Sequence, residues 1–177
     1  MYKFASDPSD IAIRNGLRII RTPTNGSLTA MLLNDDPQCL AVHWVGDRTI
    51  PHTCDGPCNY CAPENPLKIE CYFGVWLMME DKVFILSITD YAAQAILKVR
   101  RDHGKLRGMV VKCYRPSQKK NGRIDATIYA IDKLVTVAPE PPDVQRHLTM
   151  IFNINAKHLA IAERSYPAGD DVDDLRK

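Results

Sequence analysis

Three cysteines, Cys54, Cys58 and Cys61, fall within eight consecutive positions, inside a stretch (residues 46–66) rich in Pro, Gly, Asn and Asp. Such a stretch carries neither the helical nor the strand period. A structureless loop of that length is uncommon in a compact domain unless something other than backbone pairing orders it. Thiolates are soft ligands, and four Cys or His donors around one ion form the closed tetrahedron of structural zinc, with sulfurs at about 2.3 Å. The cysteines are spaced Cys-x3-Cys-x2-Cys, and Gly56 and Pro57 shape the bend between the first two. The Cys-x2-Cys turn lets both of its sulfurs reach one ion.

The fourth donor has three candidates: His43, His52 and Cys71. His43 is favoured, because it ends a strand-like segment and would tie the loop back to a sheet. The expectation is one structural zinc on His43, Cys54, Cys58 and Cys61. With all four positions filled by protein, the metal contributes folding free energy rather than chemistry. The competing reading, free cysteines in a surface loop, leaves the order of the loop unexplained.

Two catalytic readings fail on the residues. Pro57-Cys58-x-x-Cys61 matches half of the zinc-deaminase signature, but neither His43 nor His52 is followed by the His-x-Glu glutamate that moves the proton. A redox Cys-x-x-Cys sits where a strand enters a helix, whereas here strand-like sequence follows. No enzyme is expected.

No run nears the ~18 apolar residues that span a bilayer, and residues 1–7 lack an apolar leader core. A cytoplasmic location is therefore expected. Disulfides are rare there, so Cys39, Cys71 and Cys113, which lie in apolar stretches, read as small buried hydrophobes. The net charge of +2 excludes little, because a mild average can hide a basic face.

Along the chain, residues 1–28 form a polar N-terminal arm in which Arg14, Arg18 and Arg21 accompany Leu17, Ile19 and Ile20. They read as a basic arm or a short pairing segment. Strands are expected over 29–34, 39–45, 68–79, 83–88, 107–114 and 124–131, and a helix over 91–102 with Thr89 or Asp90 as cap and Gly104 as stop. A proline-rich joint at 139–142 leads to an Asp143-capped helix carrying Val144, Leu148 and Ile151. A second helical stretch is expected over 157–164. The order strand, metal loop, strand, strand, helix, strand, strand matches a five-stranded OB-like barrel. The fold class expected is mainly β with α: an OB-like domain over 29–138, a C-terminal helical segment over 139–166 and an acidic, disordered tail over 167–177.

Alternation assigns Ile69, Cys71, Phe73, Val75 and Leu77 to the core, leaving Lys68, Tyr72 and Trp76 on an open face. Lys112, Tyr114, Arg123 and Tyr129 join them from the last two strands, with Arg115, Lys119 and Lys120 in the loop between and Trp44 nearby. Rings beside cations suit single-stranded nucleic acid, whose bases stack while its phosphates meet Lys and Arg. Expected stackers are Trp44, Tyr72, Trp76, Tyr114 and Tyr129. Expected phosphate contacts are Lys68, Lys112, Arg115, Lys119, Lys120 and Arg123.

His43-Trp44, the Cys54-to-Cys61 cluster and the aromatic strand ending Val75-Trp76-Leu77 resemble the zinc-containing single-stranded-DNA-binding proteins of phages, the helix-destabilising type. The likeness spans roughly residues 39–131, and the His/Cys cluster is its specific part. It implies an OB-fold with a zinc-bound insertion, one His and three Cys as ligands, a cationic aromatic cleft, and an acidic C-terminal segment that contacts replication proteins, and single-stranded DNA is favoured over RNA as the partner. The sequence departs from the type in the short spacing between its first two cysteines and in its brief acidic tail. The runner-up is a zinc-structured protein–protein adaptor or inhibitor, such as a phage-encoded accessory factor.

Overall fold

The computed structural model describes residues 17–46, 48–120, 122–129 and 138–161. Among the described residues one nine-stranded sheet carries two helices. The strands are β1 (Ile19–Arg21), β2 (Ser27–Leu32), β3 (Gln38–Val45), β4 (Arg48–Pro51), β5 (Lys68–Leu77), β6 (Lys82–Thr89), β7 (Val110–Tyr114), β8 (Asp125–Tyr129) and β9 (Ala160–Ile161). Helix α1 (Asp90–His103) joins β6 to β7, and α2 (Val144–Phe152) follows the proline joint. The class is mainly β with α, as expected.

β5 organises the sheet. Its Ile, Cys, Tyr, Phe, Val and Trp content suits a strand buried on both faces. One edge pairs with β6 from Glu70↔Thr89 to Leu77↔Lys82. The other edge is shared, by β3 opposite Lys68 to Tyr72 and by β2 opposite Val75 and Trp76. The fork falls at Gly74, whose N–H donates to Asn34 Oδ1 at 3.1 Å and whose carbonyl accepts from Leu33 N–H at 2.9 Å. Asn34 Nδ2 in turn donates to the Pro142 carbonyl at 3.1 Å, which fixes the start of the C-terminal segment on the sheet.

The closed barrel is not formed. Closure of the five main strands needs β6 to meet β8, but β1 takes the outer edge of β6 in parallel, Ile19 opposite Ile85 and Arg21 opposite Ser87. Among the described residues β8 pairs with β7 alone, so the sheet stays open. Of the two readings of the N-terminal segment, pairing holds for residues 19–21.

Two apolar clusters lie on opposite faces. Phe73, Val75, Leu86, Ile88 and Val111 pack under α1 through Ala92, Ala93, Ile96 and Leu97. Leu40, Val42, Tyr72 and Ile85 pack with Val144 and Leu148 of α2. The second cluster covers the face of β5 expected to be open, because the apolar stripe of α2 needs a partner and finds it there. Tyr72 is accordingly fully buried, edge-on to Phe152 with ring centroids 6.0 Å apart.

α1 begins and ends as expected. Thr89 caps it, its Oγ1 accepting from Ala92 N–H at 3.4 Å, and Gly104 closes it at φ 79°, where other residues pay a steric cost. Thr89→Ala should destabilise the fold by about 1 kcal/mol in chemical denaturation. Asp143 caps α2 by accepting from Arg146 N–H at 2.9 Å. Beyond α2 the expected helix over 157–164 gives way to a 3-10 turn, Ala156–His158, and then β9, which pairs with Gln38 and Cys39. The free edge of β3 offers the short apolar segment backbone partners that a two-turn helix there would lack. The acidic tail over 167–177 lies outside the described residues.

Cys39 and Cys71 stand directly opposite each other on β3 and β5 and form a disulfide, correcting their reading as separate small hydrophobes. Directly opposed residues on antiparallel strands lie close enough to bridge, here with Cα atoms 4.2 Å apart. Disulfides are rare in reducing compartments, so this one runs against the expected cytoplasmic setting. Cys113 is a buried core thiol, and burial pushes its pKa up to about 12. Among the described residues no helix is long and apolar enough to cross a membrane.

Candidate metal centre

The loop read as structureless contains a hairpin. β3 turns at Gly46 (φ 60°) into β4, with His43 opposite Ile50 and Val42 opposite Pro51. His52 continues that register, its N–H donating to the Ala41 carbonyl at 2.8 Å. Residues two apart on a strand share a face, so His52, two beyond the partner of His43, lies diagonally next to it on the same side. Below the hairpin the chain folds into a Cys-x2-Cys turn in which Cys61 N–H donates to the Cys58 carbonyl at 3.0 Å.

Four donors meet there: His43, His52, Cys58 and Cys61, all with ligand atoms within 4.8 Å of one another. His43 Nε2 lies 3.1 Å from His52 Nδ1, 3.4 Å from Cys58 Sγ and 3.5 Å from Cys61 Sγ. Cys61 Sγ is 3.8 Å from His52 Nδ1 and 3.7 Å from Cys58 Sγ. A tetrahedral ion with zinc's bond lengths sets N···N, N···S and S···S edges of about 3.3, 3.6 and 3.8 Å. The five distances agree with those edges to a few tenths of an ångström, so this cluster could hold a metal ion.

The surroundings suit ligation. His43 is buried, and its Nδ1 lies 2.8 Å from the Asn65 carbonyl. A carbonyl only accepts, so Nδ1 carries the proton and Nε2 presents its lone pair to the cluster, the usual outer bond of a metal-binding imidazole. The sulfurs receive backbone donors, Tyr60 N–H to Cys58 at 3.4 Å and Cys58 N–H to Cys61 at 3.3 Å. Desolvation pushes the Cys58 thiol up, but the Tyr60 amide, the Cys61 side chain and further backbone donors outweigh it and hold its pKa below the ordinary value, favouring the thiolate.

The structure thus brings together three of the four residues expected at the site, His43, Cys58 and Cys61, and joins to them His52, an alternative to His43 in the sequence reading that lies alongside it instead. Cys54 is an exposed free thiol outside the cluster, and Cys71 is held in its disulfide. The signal for His52 was available in the hairpin register, but Arg48–Pro51 is polar and ends in proline, so it does not read as a strand.

The expected nucleic-acid contacts divide three ways. Lys112, Tyr114 and Tyr129 share the outer face of β7–β8, Tyr114 and Tyr129 being 39% and 49% exposed. Arg123 lies nearby, bonded to Asp125 and stacked 4.4 Å over exposed Tyr91. Trp44, Lys68, Arg115 and Lys120 line a cleft between the β5–β6 end and the β7–β8 hairpin. Trp76 sits at the far end of β5, its Nε1 donating to Asp81 at 3.1 Å, and Lys119 is exposed in the hairpin.

Two of these contacts are corrected. Tyr72 offers no ring to a base, because its faces are covered and its hydroxyl donates to Glu70 Oε2 at 2.7 Å. Burial, then the Glu70 carboxylate, pushes its pKa well above the ordinary value, so it stays a donor. Arg115 is 8% exposed, donating from Nε to the Thr22 carbonyl at 3.2 Å and from Nη1 to the Gly122 carbonyl at 2.5 Å, and so braces the hairpin rather than reaching outward. Comparison with protein-family models, curated proteins and solved structures found no match to this chain.

Proposed function

We propose that this chain is a non-catalytic single-stranded nucleic-acid-binding protein whose β3–β4 hairpin and following loop are ordered by one structural zinc on His43, His52, Cys58 and Cys61. Two thiolates and two imidazoles suit zinc, and four protein donors leave no position for a reacting water. The observation that carries the binding reading is the outer face of β7–β8, where Tyr114 and Tyr129 flank Lys112 in the open. Tyrosines exposed on a sheet beside a cation give bases a stacking platform and a phosphate its counter-charge. DNA is favoured over RNA on the resemblance of the His/Cys cluster to the phage proteins.

Titration of a labelled oligothymidylate at low and moderate salt tests the reading. Binding should weaken steeply with salt through counterion release. Tyr114→Ala and Tyr129→Ala should each cost about 1–3 kcal/mol of affinity, because a stacking platform is lost while the charge stays. Absence of binding at low salt defeats the proposal. Capture of a protein partner with little salt dependence would replace it with the adaptor reading.

A further inference from the structure

Four cations converge on the cleft at the open seam of the sheet: Arg21, Lys68, Arg115 and Lys120, with Trp44 in the wall and Glu70 beneath. The seam exists because β1, rather than β8, pairs with β6. Arg21 belongs to the N-terminal segment that pairs as β1. Its guanidinium now lies 4.4 Å over the Trp44 ring, bonds Thr49 Oγ1, and reaches Glu70 Oε2 at 3.9 Å. Stacking, a hydrogen bond and an ion pair together hold a side chain that would otherwise be mobile.

The charges do not balance. Among the described residues lining the cleft, Glu70 is the one carboxylate set against Arg21, Lys68 and Arg115, and it already accepts from Tyr72 Oη at 2.7 Å and Ser87 Oγ at 3.2 Å. Its part is to position Arg21. Among the described residues Arg115 bonds neutral carbonyls, those of Thr22 and Gly122, and burial, then the charge of Arg21, lowers its pKa. Two guanidinium groups that feel each other in a partly dry cleft are relieved by an anion between them, and phosphate matches their fork geometry best.

We infer that this cleft binds one phosphate group, held by Arg21, Lys68 and Lys120 with Arg115 behind them. The group is either a terminal phosphate or a phosphodiester of a strand crossing the seam. The inference stands apart from the stacking face of β7–β8, so either can fail without the other.

The test uses the whole chain carrying Trp76→Phe, which leaves Trp44 as the one tryptophan reporter, at constant ionic strength. Inorganic phosphate should change the fluorescence saturably where chloride does not. Lys68→Gln, on an exposed side chain at the start of β5 whose loss spares the core, should weaken that response about 10-fold with unchanged circular dichroism. A short oligonucleotide bound about 10-fold tighter with a 5′-phosphate than without it marks a terminal-phosphate site. Equal binding of the two, both displaced by inorganic phosphate, marks a backbone phosphodiester. No saturable response to phosphate, or one that Lys68→Gln leaves unchanged, overturns the inference even if the oligonucleotide still binds through Tyr114 and Tyr129.

Discussion

Cys58→Ser should take the zinc content of the protein from one ion per chain to near zero, while Cys54→Ser should leave it at one. The pair of variants separates the donor set suggested by sequence spacing from the one assembled by the hairpin, since Cys58 lies within 3.4 Å of His43 Nε2 and Cys54 is exposed outside the cluster. Losing one thiolate leaves three donors and an ill-paired buried imidazole at His43, so the stability cost should reach at least about 3 kcal/mol. It should fall short of the ~10–16 kcal/mol by which zinc holds an isolated finger peptide, because this sheet has two apolar clusters of its own. His52→Ala should release the metal as well, and metal analysis of the purified variants reads the result directly. Equal metal loss in Cys54→Ser and Cys58→Ser would sink the four-donor assignment.

What was legible in the sequence was whatever one segment determines by itself. The alternation in β5 and β6 marks one buried face, Thr89 and Gly104 bracket α1, and Asp143 opens α2, because strand period and capping chemistry are local. The Cys58/Cys61 half of the metal cluster is equally local, a turn of four residues. What went unread depends on pairing between distant segments. His52 joins His43 only through the β3–β4 register, Cys39 meets Cys71 only because β3 and β5 are neighbours, and Tyr72 is buried only because α2 returns to cover it. Barrel closure failed for the same reason, since residues 19–21 carry no long apolar pattern yet take the edge of β6 that closure requires. The same pairing produced the cationic cleft, which joins Arg21 from β1 to Lys68 from β5 and Lys120 from the hairpin.

Gly74→Ala should be among the most damaging single-methyl additions in the molecule. A Cβ at this position would overlap Asn34 Oδ1 and the ring of Pro142, both closer than real Cβ contacts allow. Asn34 has no easy retreat, because its Oδ1 accepts from the Gly74 N–H and its Nδ2 donates to the Pro142 carbonyl. Neither can the proline ring swing clear without lifting the start of α2, whose Val144 and Leu148 fill the second apolar cluster. Overpacking of this kind costs about 1–3 kcal/mol, and breaking the Asn34 bonds adds about 1 kcal/mol, so denaturant unfolding should show a loss of roughly 2–4 kcal/mol. Asn34→Ala in the same chain should restore part of that loss, because it removes the oxygen the methyl strikes while leaving the proline contact. A Gly74→Ala chain as stable as the parent would mean that β5 is not pinned where β2 and β3 diverge. The route by which α2 covers Tyr72 would then need another anchor.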